Sequence, residues 1–422
     1  MTAMFHRAFR IVRELFRRLL SPKRDLAVPR SRKWNSARLP EGERKENGVT
    51  LAMDFAEIKS LSQLGRDFAA RLAKTSIPFE VFDTGCDPDA PRLPRSELPP
   101  ADIPLVDHIH YRRVIVFAAG ATEKNHDQFN ILTPFWEFES GLPEVSPHLF
   151  DGVNHLIVFS RFCERYFSSI APRDVGISHV RYPLPDNWRV RVGRRQVRNR
   201  LGIGEGDFVV FFHFDFRSGF DRKNPVGALK AFLAAFGNDP GAKMVVKAGG
   251  GDWDLRNRLR FWQEVRHLGI GKRLVLIEDF MPHADILDLI GASDVYLSLH
   301  RGEGLGIGML EAMSVGTPVV ATRYGGNTDF TQDENSFPVR YRMVRPATSY
   351  GLYQSVRAWP EPDVGQTAEY LRAIRLSPEM AKAKAVAADR FIRDYFSPAN
   401  FESDVRSFLS ATEEPSGGNR AQ

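Results

Sequence analysis

The amino-acid sequence predicts an α/β protein made of two lobes, each built on a parallel sheet. Short apolar runs typical of buried parallel strands alternate with helical patterns, and two such series are separated by an irregular stretch at 182–200. The chain has 422 residues, which is more than one hydrophobic core usually organises. We therefore expect two Rossmann-like domains that face each other across a cleft.

The two series define the expected domains. In the first series, strands are predicted at 49–53, 79–82, 114–118 and 156–159, with a helix at 61–74. In the second, strands at 208–213, 243–247, 274–278, 295–299 and 318–321 alternate with helices at 226–236, 254–268, 284–291 and 308–314. The predicted domains are a basic amphipathic helix and linker at 1–47, lobes at 48–190 and 191–385, a C-terminal helix at 386–411 that ties the lobes and is interrupted near Pro398, and a disordered tail at 412–422.

Charge and cysteine content narrow the class of protein. The net charge is +6, but residues 1–45 carry 13 Lys and Arg against 4 Asp and Glu, so the rest of the chain is slightly acidic. This distribution argues against a nucleic-acid-binding protein, whose basic residues would spread along a folded face. The chain has only two cysteines, which excludes a disulfide framework and favours a reducing, cytoplasmic location.

The amino-terminal segment is predicted to be an amphipathic helix over residues 3–20. Its apolar residues recur at helical spacing, and five arginines lie largely off that stripe. Such a helix can lie in the surface of an anionic membrane, so we expect peripheral contact with the inner face of the plasma membrane. The alternative is that the helix packs on the protein's own body. No apolar run approaches the roughly eighteen residues that a membrane-spanning helix needs.

The strongest signal for a binding site is the glycine-rich segment 300–311, between a predicted strand and a predicted helix. Its four glycines let backbone N–H groups approach a ligand, and the helix amino terminus beyond them favours an anion such as a diphosphate. Glu303 precedes the helix, whereas Glu311 lies about one turn inside it. Carboxylates beside a phosphate site are expected to accept hydrogen bonds from hydroxyl groups, which sugars supply. The alternative is that the glycines only permit tight packing.

A basic turn at 217–225 follows the first strand of the second series. It contains Arg217, Arg222 and Lys223, and it is expected at the same sheet edge as the glycine-rich segment. An arginine fork and a lysine point charge can together neutralise a leaving diphosphate without a metal. The alternative is a solvated turn before a helix that begins near Pro225.

Two nearby features are interpreted structurally. Asp252 and Asp254 flank a tryptophan, and this triplet is expected to begin a helix rather than to bind a metal. Lys247 ends a predicted strand and is expected to be solvated.

Together these segments resemble the donor lobe of the retaining GT-B glycosyltransferases of family 4. The resemblance rests on the Arg222-Lys223 pair, on the spacing of Glu303 and Glu311, and on the segments 312–322, 325–330 and 359–363. The last two segments, with 222–225 and 298–301, are similar to a branch of mannosyl- and rhamnosyltransferases that builds bacterial surface polysaccharides. The resemblance covers residues 205–375 strongly and 48–190 weakly.

The resemblance implies a metal-independent reaction that retains anomeric configuration. A hexose or deoxyhexose would pass from a nucleoside-diphosphate sugar to a glycan or lipid-linked acceptor, with no cofactor and no nucleic-acid partner. Glu303, Arg222 and Lys223 would be catalytic, with Glu303 on the donor sugar, Arg222 and Lys223 on the diphosphate, and Glu311 on the ribose. The further donor-site residues that it implies are Arg217, Gly304, Leu305, Gly306 and Ile307.

The first lobe departs from the family's pattern. Members often have a loop similar to Gly-Leu-Gly-x-x-Ala-Arg, whereas residues 60–66 place serines at the two glycine positions, which restricts close approach of the backbone to a ligand. Segment 133–139 looks like the family's Trp-Glu segment, so Trp136 or Glu137 is expected to touch donor or acceptor. The alternative for Trp136 is a place in the core.

Three other functions are also consistent with the sequence. Serines in the loop at 60–66 are also consistent with a catalytically impaired partner protein that binds nucleotide sugars. A nucleotide-sugar epimerase would share the fold and need no acceptor. Nucleic-acid binding through the basic segment 1–45 is the third alternative.

Overall fold

The computed structural model describes residues 45–54, 60–84, 103–106, 109–117, 128–146, 148–346 and 353–413. Within these residues it shows two α/β domains, each built on a sheet whose strand pairs are all parallel. The predicted fold class is therefore confirmed. The helix expected at 3–20 lies outside the described residues, as does the tail beyond residue 413.

The first domain has a seven-stranded sheet in the order β3-β2-β1-β4-β5-β6-β7. Its strands are β1 (Lys45–Met53), β2 (Phe79–Asp83), β3 (Leu105–Val106), β4 (Tyr111–Val116), β5 (Phe129–Leu132), β6 (His155–Val158) and β7 (Gly176–His179). Its helices are α1 (Ser60–Leu72), α2 (Leu142–Val145) and α3 (Arg161–Ile170). β1 begins at Lys45, so the end of the predicted linker is in fact strand.

The second domain has a six-stranded sheet in the order β10-β9-β8-β11-β12-β13. Its strands are β8 (Phe208–Asp215), β9 (Ala242–Gly249), β10 (Leu274–Ile277), β11 (Val295–Ser298), β12 (Val319–Thr322) and β13 (Phe337–Val339), and β14 (Tyr341–Val344) pairs antiparallel with β15 (Trp359–Pro362). Its helices are α4 (Arg194–Arg200), α5 (Phe220–Lys223), α6 (Pro225–Phe236), α7 (Leu255–His267), α8 (His283–Gly291), α9 (Ile307–Ser314) and α10 (Val364–Leu376).

Both sheets have the doubly wound strand order, in which the direction of winding reverses between two neighbouring central strands. In the second sheet this switch point lies between β8 and β11, which pair in parallel with Val210 opposite Val295. Ligands of such sheets bind beyond the carboxyl ends of the strands at the switch point. The loops that follow β8 and β11 are therefore where a ligand is expected.

The apolar sequence of β8 explains its central position. Alternate residues point to opposite faces of a strand, and Phe211 and Phe212 accordingly belong to two different hydrophobic clusters. Each cluster is closed by helices on its own side of the sheet. A strand that is apolar on both faces is thus required to sit between two helix layers.

The carboxyl-terminal region consists of two helices, α11 (Pro378–Tyr395) and α12 (Pro398–Ala411), separated near Pro398. α11 begins before the expected residue 386 and contacts the second domain, where Arg393 donates to the carbonyl of Ser314. α12 returns to the first domain, where the ring of Phe401 lies 5.0 Å from that of Phe68. Thr412, expected in the tail, is buried and accepts a hydrogen bond from Arg113.

Two single-residue expectations are settled by the structure. Asp254 accepts a hydrogen bond from the N–H of Asn257 at the start of α7, so the predicted helix start is confirmed. The expectation that Lys247 is solvated is wrong, because its side chain is only 8% exposed. β9 is an interior strand that continues to Gly249, so Lys247 lies within the strand and not at its end. Burial also lowers the pKa of Lys247.

No helix among the described residues is both long enough and apolar enough to cross a bilayer.

Substitution of Phe401 tests whether α12 holds the first domain. Phe401→Ala removes a fully buried ring and is expected to lower the free energy of unfolding by about 3–5 kcal/mol. Chemical denaturation followed by fluorescence measures this change. The exposed Phe280 provides a matched control, since Phe280→Ala leaves no cavity. Equal free energies of unfolding for the two variants would show that the packing of Phe401 does not stabilise the first domain.

Candidate active site

The basic turn and the glycine-rich segment meet at the switch point of the second sheet. Lys223, at the end of α5, places its Nζ 2.5 Å from Oε2 of Glu303, which follows β11. Two hydrogen bonds to backbone carbonyls hold the loops together. The N–H of Arg301 donates to the carbonyl of Arg222 at 2.7 Å, and Asn224 Nδ2 donates to the carbonyl of Leu299 at 2.8 Å. Residues 80 positions apart thus form one ion pair.

The conformation of Asn224 determines where the cation of Lys223 lies. Asn224 has a φ of 53°, in the left-handed region that asparagine tolerates better than most residues. Its Oδ1 accepts a hydrogen bond from the N–H of Gly227, so it ends α5 and caps α6, with Pro225 at the first helical position. The short sequence Arg-Lys-Asn-Pro therefore builds a rigid corner at the carboxyl end of β8.

Arg222 is buried and engaged by the protein itself. Its guanidinium is 5% exposed and donates to the carbonyls of Ser218 and Gly302, at 3.0 and 2.8 Å. It also lies 3.6 Å from a carboxylate oxygen of Glu137 and 3.8 Å from one of Glu303. Arg222 therefore braces the two carboxylates and the glycine-rich loop, whereas Lys223, with 22% of its side chain exposed, is the more accessible cation.

The charges around Glu303 keep it ionised. Burial would raise the pKa of Glu303, but the positive charges of Lys223 and Arg222 outweigh burial and hold the pKa at about 2. Glu303 is therefore a carboxylate at neutral pH and can only accept hydrogen bonds. A carboxylate held against two cations in a partly dehydrated site is suited to bind hydroxyl groups.

The first domain closes over this cluster. Glu137 reaches Arg222 from the segment after β5, and the hydroxyl of Tyr353 lies 3.5 Å from the other Glu137 oxygen. Gly302 packs so closely that a Cβ there would lie 2.8 Å from the ring of Phe138 and 2.9 Å from the carbonyl oxygen of Glu137. The cluster is thus an interdomain site, and its two carboxylates come from different domains.

The glycine-rich loop is held by its backbone. The carbonyl of Gly304 accepts a hydrogen bond of 2.6 Å from the hydroxyl of Ser160, at the amino terminus of α3 in the first domain. A Cβ at Gly326 would lie 2.0 Å from that same carbonyl oxygen, and one at Gly325 would lie 2.3 Å from the carbonyl oxygen of Glu303. Glycines at 325 and 326 are therefore required by the contact between two backbone segments.

The start of α9 offers backbone donors beside the ion pair. Gly306, with a φ of 103°, ends the loop, and Leu305 is buried beneath it. Among the described residues, no side chain caps α9, so the N–H groups of Ile307 and Gly308 head an uncapped helix terminus. Such a terminus favours an anion.

The second carboxylate of the predicted site, Glu311, lies in the interior of α9. It is 6% exposed, and its Oε1 lies 2.6 Å from Nε2 of His283, the first residue of α8. Burial would raise the pKa of Glu311, but His283 holds it below its usual value. Glu311 is therefore also ionised and has a defined orientation.

Two predicted site residues have different surroundings from the rest. Arg217 is exposed beside the end of β8 and forms an ion pair with Asp215, with Nη2 and Oδ2 2.7 Å apart. Trp136 is 4% exposed, and its indole N–H donates to the carbonyl of Ser140. The tryptophan therefore packs in the core, and Glu137 is the residue of this segment that reaches the cluster.

Sequence patterns did not reveal three residues that complete the site. Tyr353 follows a segment without clear periodicity, and its partners lie far away in the chain. Ser160 stands between a strand and a helix, which is a readable N-cap signal, but nothing in the sequence connects it to Gly304. His283 follows a proline at a helix start, and that pattern alone predicts only the helix.

The described residues contain no group of three or more His, Cys, Asp or Glu side chains that could hold a metal ion.

Comparison with solved structures shows the class of fold. HepE of Anabaena, crystallised with UDP and glucose, superimposes with a TM-score of 0.63 at 14% identity, over 86% of this chain and 100% of that chain. WaaG, a glycosyltransferase involved in lipopolysaccharide biosynthesis, gives 0.52 at 15% identity, over 88% and 100%. The fold is therefore that of the GT-B glycosyltransferases.

Comparison of the amino-acid sequence with known proteins gives similarity to glycosyltransferases, and the family match lies in the second domain. Residues 194–337 match the family described as glycosyl transferases group 1. The D-inositol 3-phosphate glycosyltransferase of Mycobacterium tuberculosis is 29% identical over 177 residues, which are 42% of this chain and 35% of the relative. The chain thus matches about a third of the length of that relative. Both similarities support a glycosyltransferase, and the family match includes the ion pair and both carboxylates of the second domain.

The close approach of Gly326 to the glycine-rich loop can be tested by adding one methyl group. Gly326→Ala is expected to lower the free energy of unfolding by at least about 2 kcal/mol, because the nearest atom is a backbone oxygen that cannot rotate away. Gly206→Ala is the control, since a Cβ there has no atom within 4 Å. If thermal unfolding shows the two variants to be equally stable, the loops do not pack as described.

Proposed function

We propose that this protein is a retaining, metal-independent glycosyltransferase that moves a hexose or deoxyhexose from a nucleoside-diphosphate sugar to a glycan or lipid-linked acceptor. The observation that carries the proposal is the Lys223–Glu303 pair beside the uncapped start of α9. This pair puts a cation and an ionised carboxylate next to a helix terminus at one switch point. A sugar diphosphate presents the matching anion and hydroxyls.

The charge balance of the cluster suggests how the donor enters. Arg222 and Lys223 are matched by Glu137 and Glu303, so the charges within the cluster nearly balance. A diphosphate would take Lys223 as its partner and release Glu303 to accept hydrogen bonds from the sugar. This exchange preserves the number of ionic contacts, which limits the cost of dehydrating the diphosphate.

In this proposal the two arginines have different roles. Arg217, exposed beside the end of β8, joins Lys223 on the diphosphate after exchanging Asp215 for phosphate oxygens. Arg222 stabilises departure of the diphosphate indirectly, by fixing Glu303 and the carbonyl of Gly302. The backbone from Gly304 to Ile307 faces sugar and phosphates, and Glu311 binds the ribose. Positive charge set in place before reaction stabilises the leaving group.

The proposed biological role is synthesis of cell-surface polysaccharide, by a cytoplasmic enzyme of family 4 related to mannosyl- and rhamnosyltransferases. Motifs at 222–225, 298–301, 325–330 and 359–363 support this branch. In the structure two of them form one unit, because Arg301 makes a bidentate ion pair with Glu361 and lies over the ring of Trp359. The role of WaaG in lipopolysaccharide biosynthesis is consistent with it. The acceptor would bind against the first domain, next to Glu137.

Turnover of nucleotide sugars tests the proposal. Wild-type protein with UDP-, GDP- and dTDP-sugars and a panel of lipid-linked glycan acceptors should release the nucleoside diphosphate. Glu303→Gln keeps the shape of the side chain but removes its charge, and kcat/KM should fall at least about 100-fold. Thermal unfolding of the same variant separates this loss from misfolding.

The control for Glu303 is the exposed Glu369 on α10, whose change to Gln should leave kcat/KM unaltered. Full activity of Glu303→Gln would refute the assigned role. Donor binding without turnover on any acceptor would favour the impaired partner protein, and change of the sugar without an acceptor would favour an epimerase.

Membrane contact through residues 3–20 is a separate proposal, based on the arginine-rich amphipathic pattern. Full-length protein should sediment with vesicles that contain anionic lipid, whereas a chain that begins at Lys45, the start of β1, should not. A full-length control with Arg7, Arg10 and Arg17 changed to Gln keeps the apolar stripe and should bind more weakly. Equal sedimentation of the full-length and shortened chains would exclude this contact.

A further inference from the structure

We infer that His283 is a positioning residue, which orients the carboxylate of Glu311 toward the ribose of the bound nucleotide. The inference rests on the function proposed above, because that function gives Glu311 its ligand. His283 begins α8, Glu311 lies in the interior of α9, and their side chains meet at 2.6 Å. The contact thus fixes one helix against the other at the donor site.

The orientation matters because Glu311 is almost completely buried. A carboxylate has about four lone-pair directions, and its last torsion is broad when nothing restrains it. The bond from His283 Nε2 to Oε1 restrains that torsion and leaves further lone pairs in fixed directions. Two neighbouring ribose hydroxyls require such fixed acceptors, and restraint before binding lowers the entropy lost on binding.

The imidazole of His283 is itself held in place by a chain of contacts that reaches the first domain. Its ring lies 5.6 Å from that of Trp188, in the segment that crosses between the domains. Trp188 packs at 5.9 Å against Tyr182, whose hydroxyl donates to Asp67 on α1 at 2.5 Å. Trp188, Tyr182 and Asp67 are all buried. The position of His283 therefore depends on how the first domain packs against the crossing segment.

The charge of His283 is expected to make nucleotide affinity depend on pH. Burial would lower its pKa, but the charge of Glu311 outweighs burial, so the pKa is raised and the imidazole stays protonated to a higher pH than usual. The other titratable groups that face it are Asp67 and Arg66 on α1 and His213 on β8, whose own pKa is lowered by burial. As pH rises through the raised pKa of His283, the charge is lost and the restraint on Glu311 weakens. Nucleotide affinity should therefore fall with rising pH.

Calorimetric titration of the full-length protein with UDP, GDP and dTDP between pH 7 and 9 tests the inference. This range avoids ionisation of Asp67, whose pKa is raised by burial to about 6. His283→Ala should weaken nucleotide binding about tenfold, the effect of losing one charge-assisted hydrogen bond. His283→Gln retains a donor of similar reach without a titratable charge, so its affinity should not change with pH. His267→Gln, on the exposed face of α7, is the control.

A merely structural role would give a different pattern. In turnover assays the His283→Ala change should raise the KM for the donor while kcat stays within about threefold. Unaltered nucleotide affinity in His283→Ala, or an unchanged pH dependence in His283→Gln, would overturn the inference. If nucleotides bind with the expected dependence on His283 but no sugar is transferred, the proposed function fails and the inference stands. If no nucleotide binds the wild-type protein, both fail.

Discussion

The site depends on one ion pair, between Lys223 and Glu303, which joins the loops that follow two neighbouring strands. The loops meet because the doubly wound order puts β11 beside β8, and because Asn224, at the end of α5, donates to the carbonyl of Leu299. Both side chains are partly dehydrated, so removing Glu303 would leave the charge of Lys223 without its ion-pair partner, whereas removing Lys223 would leave Glu303 with Arg222 alone. The same arrangement keeps Glu303 ionised and makes it a hydroxyl acceptor.

Residues of the first domain contact the two loops that carry this ion pair. Glu137 shares Arg222 with Glu303, and the hydroxyl of Ser160 holds the carbonyl of Gly304. The first contact reaches the basic turn and the second reaches the glycine-rich loop, and both come from elements that follow parallel strands of the first sheet. A shift of the first domain would therefore change the position of the loop and the strength of the ion pair together. The packing of the first domain and the geometry of the ion pair are therefore physically linked.

The glycines show where sequence interpretation was incomplete. The sequence predicts that glycines at 302–308 admit a ligand close to the backbone. The structure shows that Gly302 also admits a ring of the first domain, and that Gly325 and Gly326 admit the loop itself. Close packing of the backbone is therefore one reason for the glycines in and around this loop. The absence of a Cβ permits close packing and also close approach of a ligand, so the presence of a glycine in the sequence does not distinguish the two.

The sequence by itself determined the two α/β domains and the sheet edge at which the site lies, because strand and helix periodicities are local and the carboxyl ends of parallel strands share one edge. Only the tertiary structure decided that Arg222 is buried while Lys223 is accessible, that Lys247 is covered, and that His283 meets Glu311. Each of these outcomes depends on which distant segments pack against a side chain. Local periodicity carries no information about such contacts, since they form only when the sheets and helices assemble.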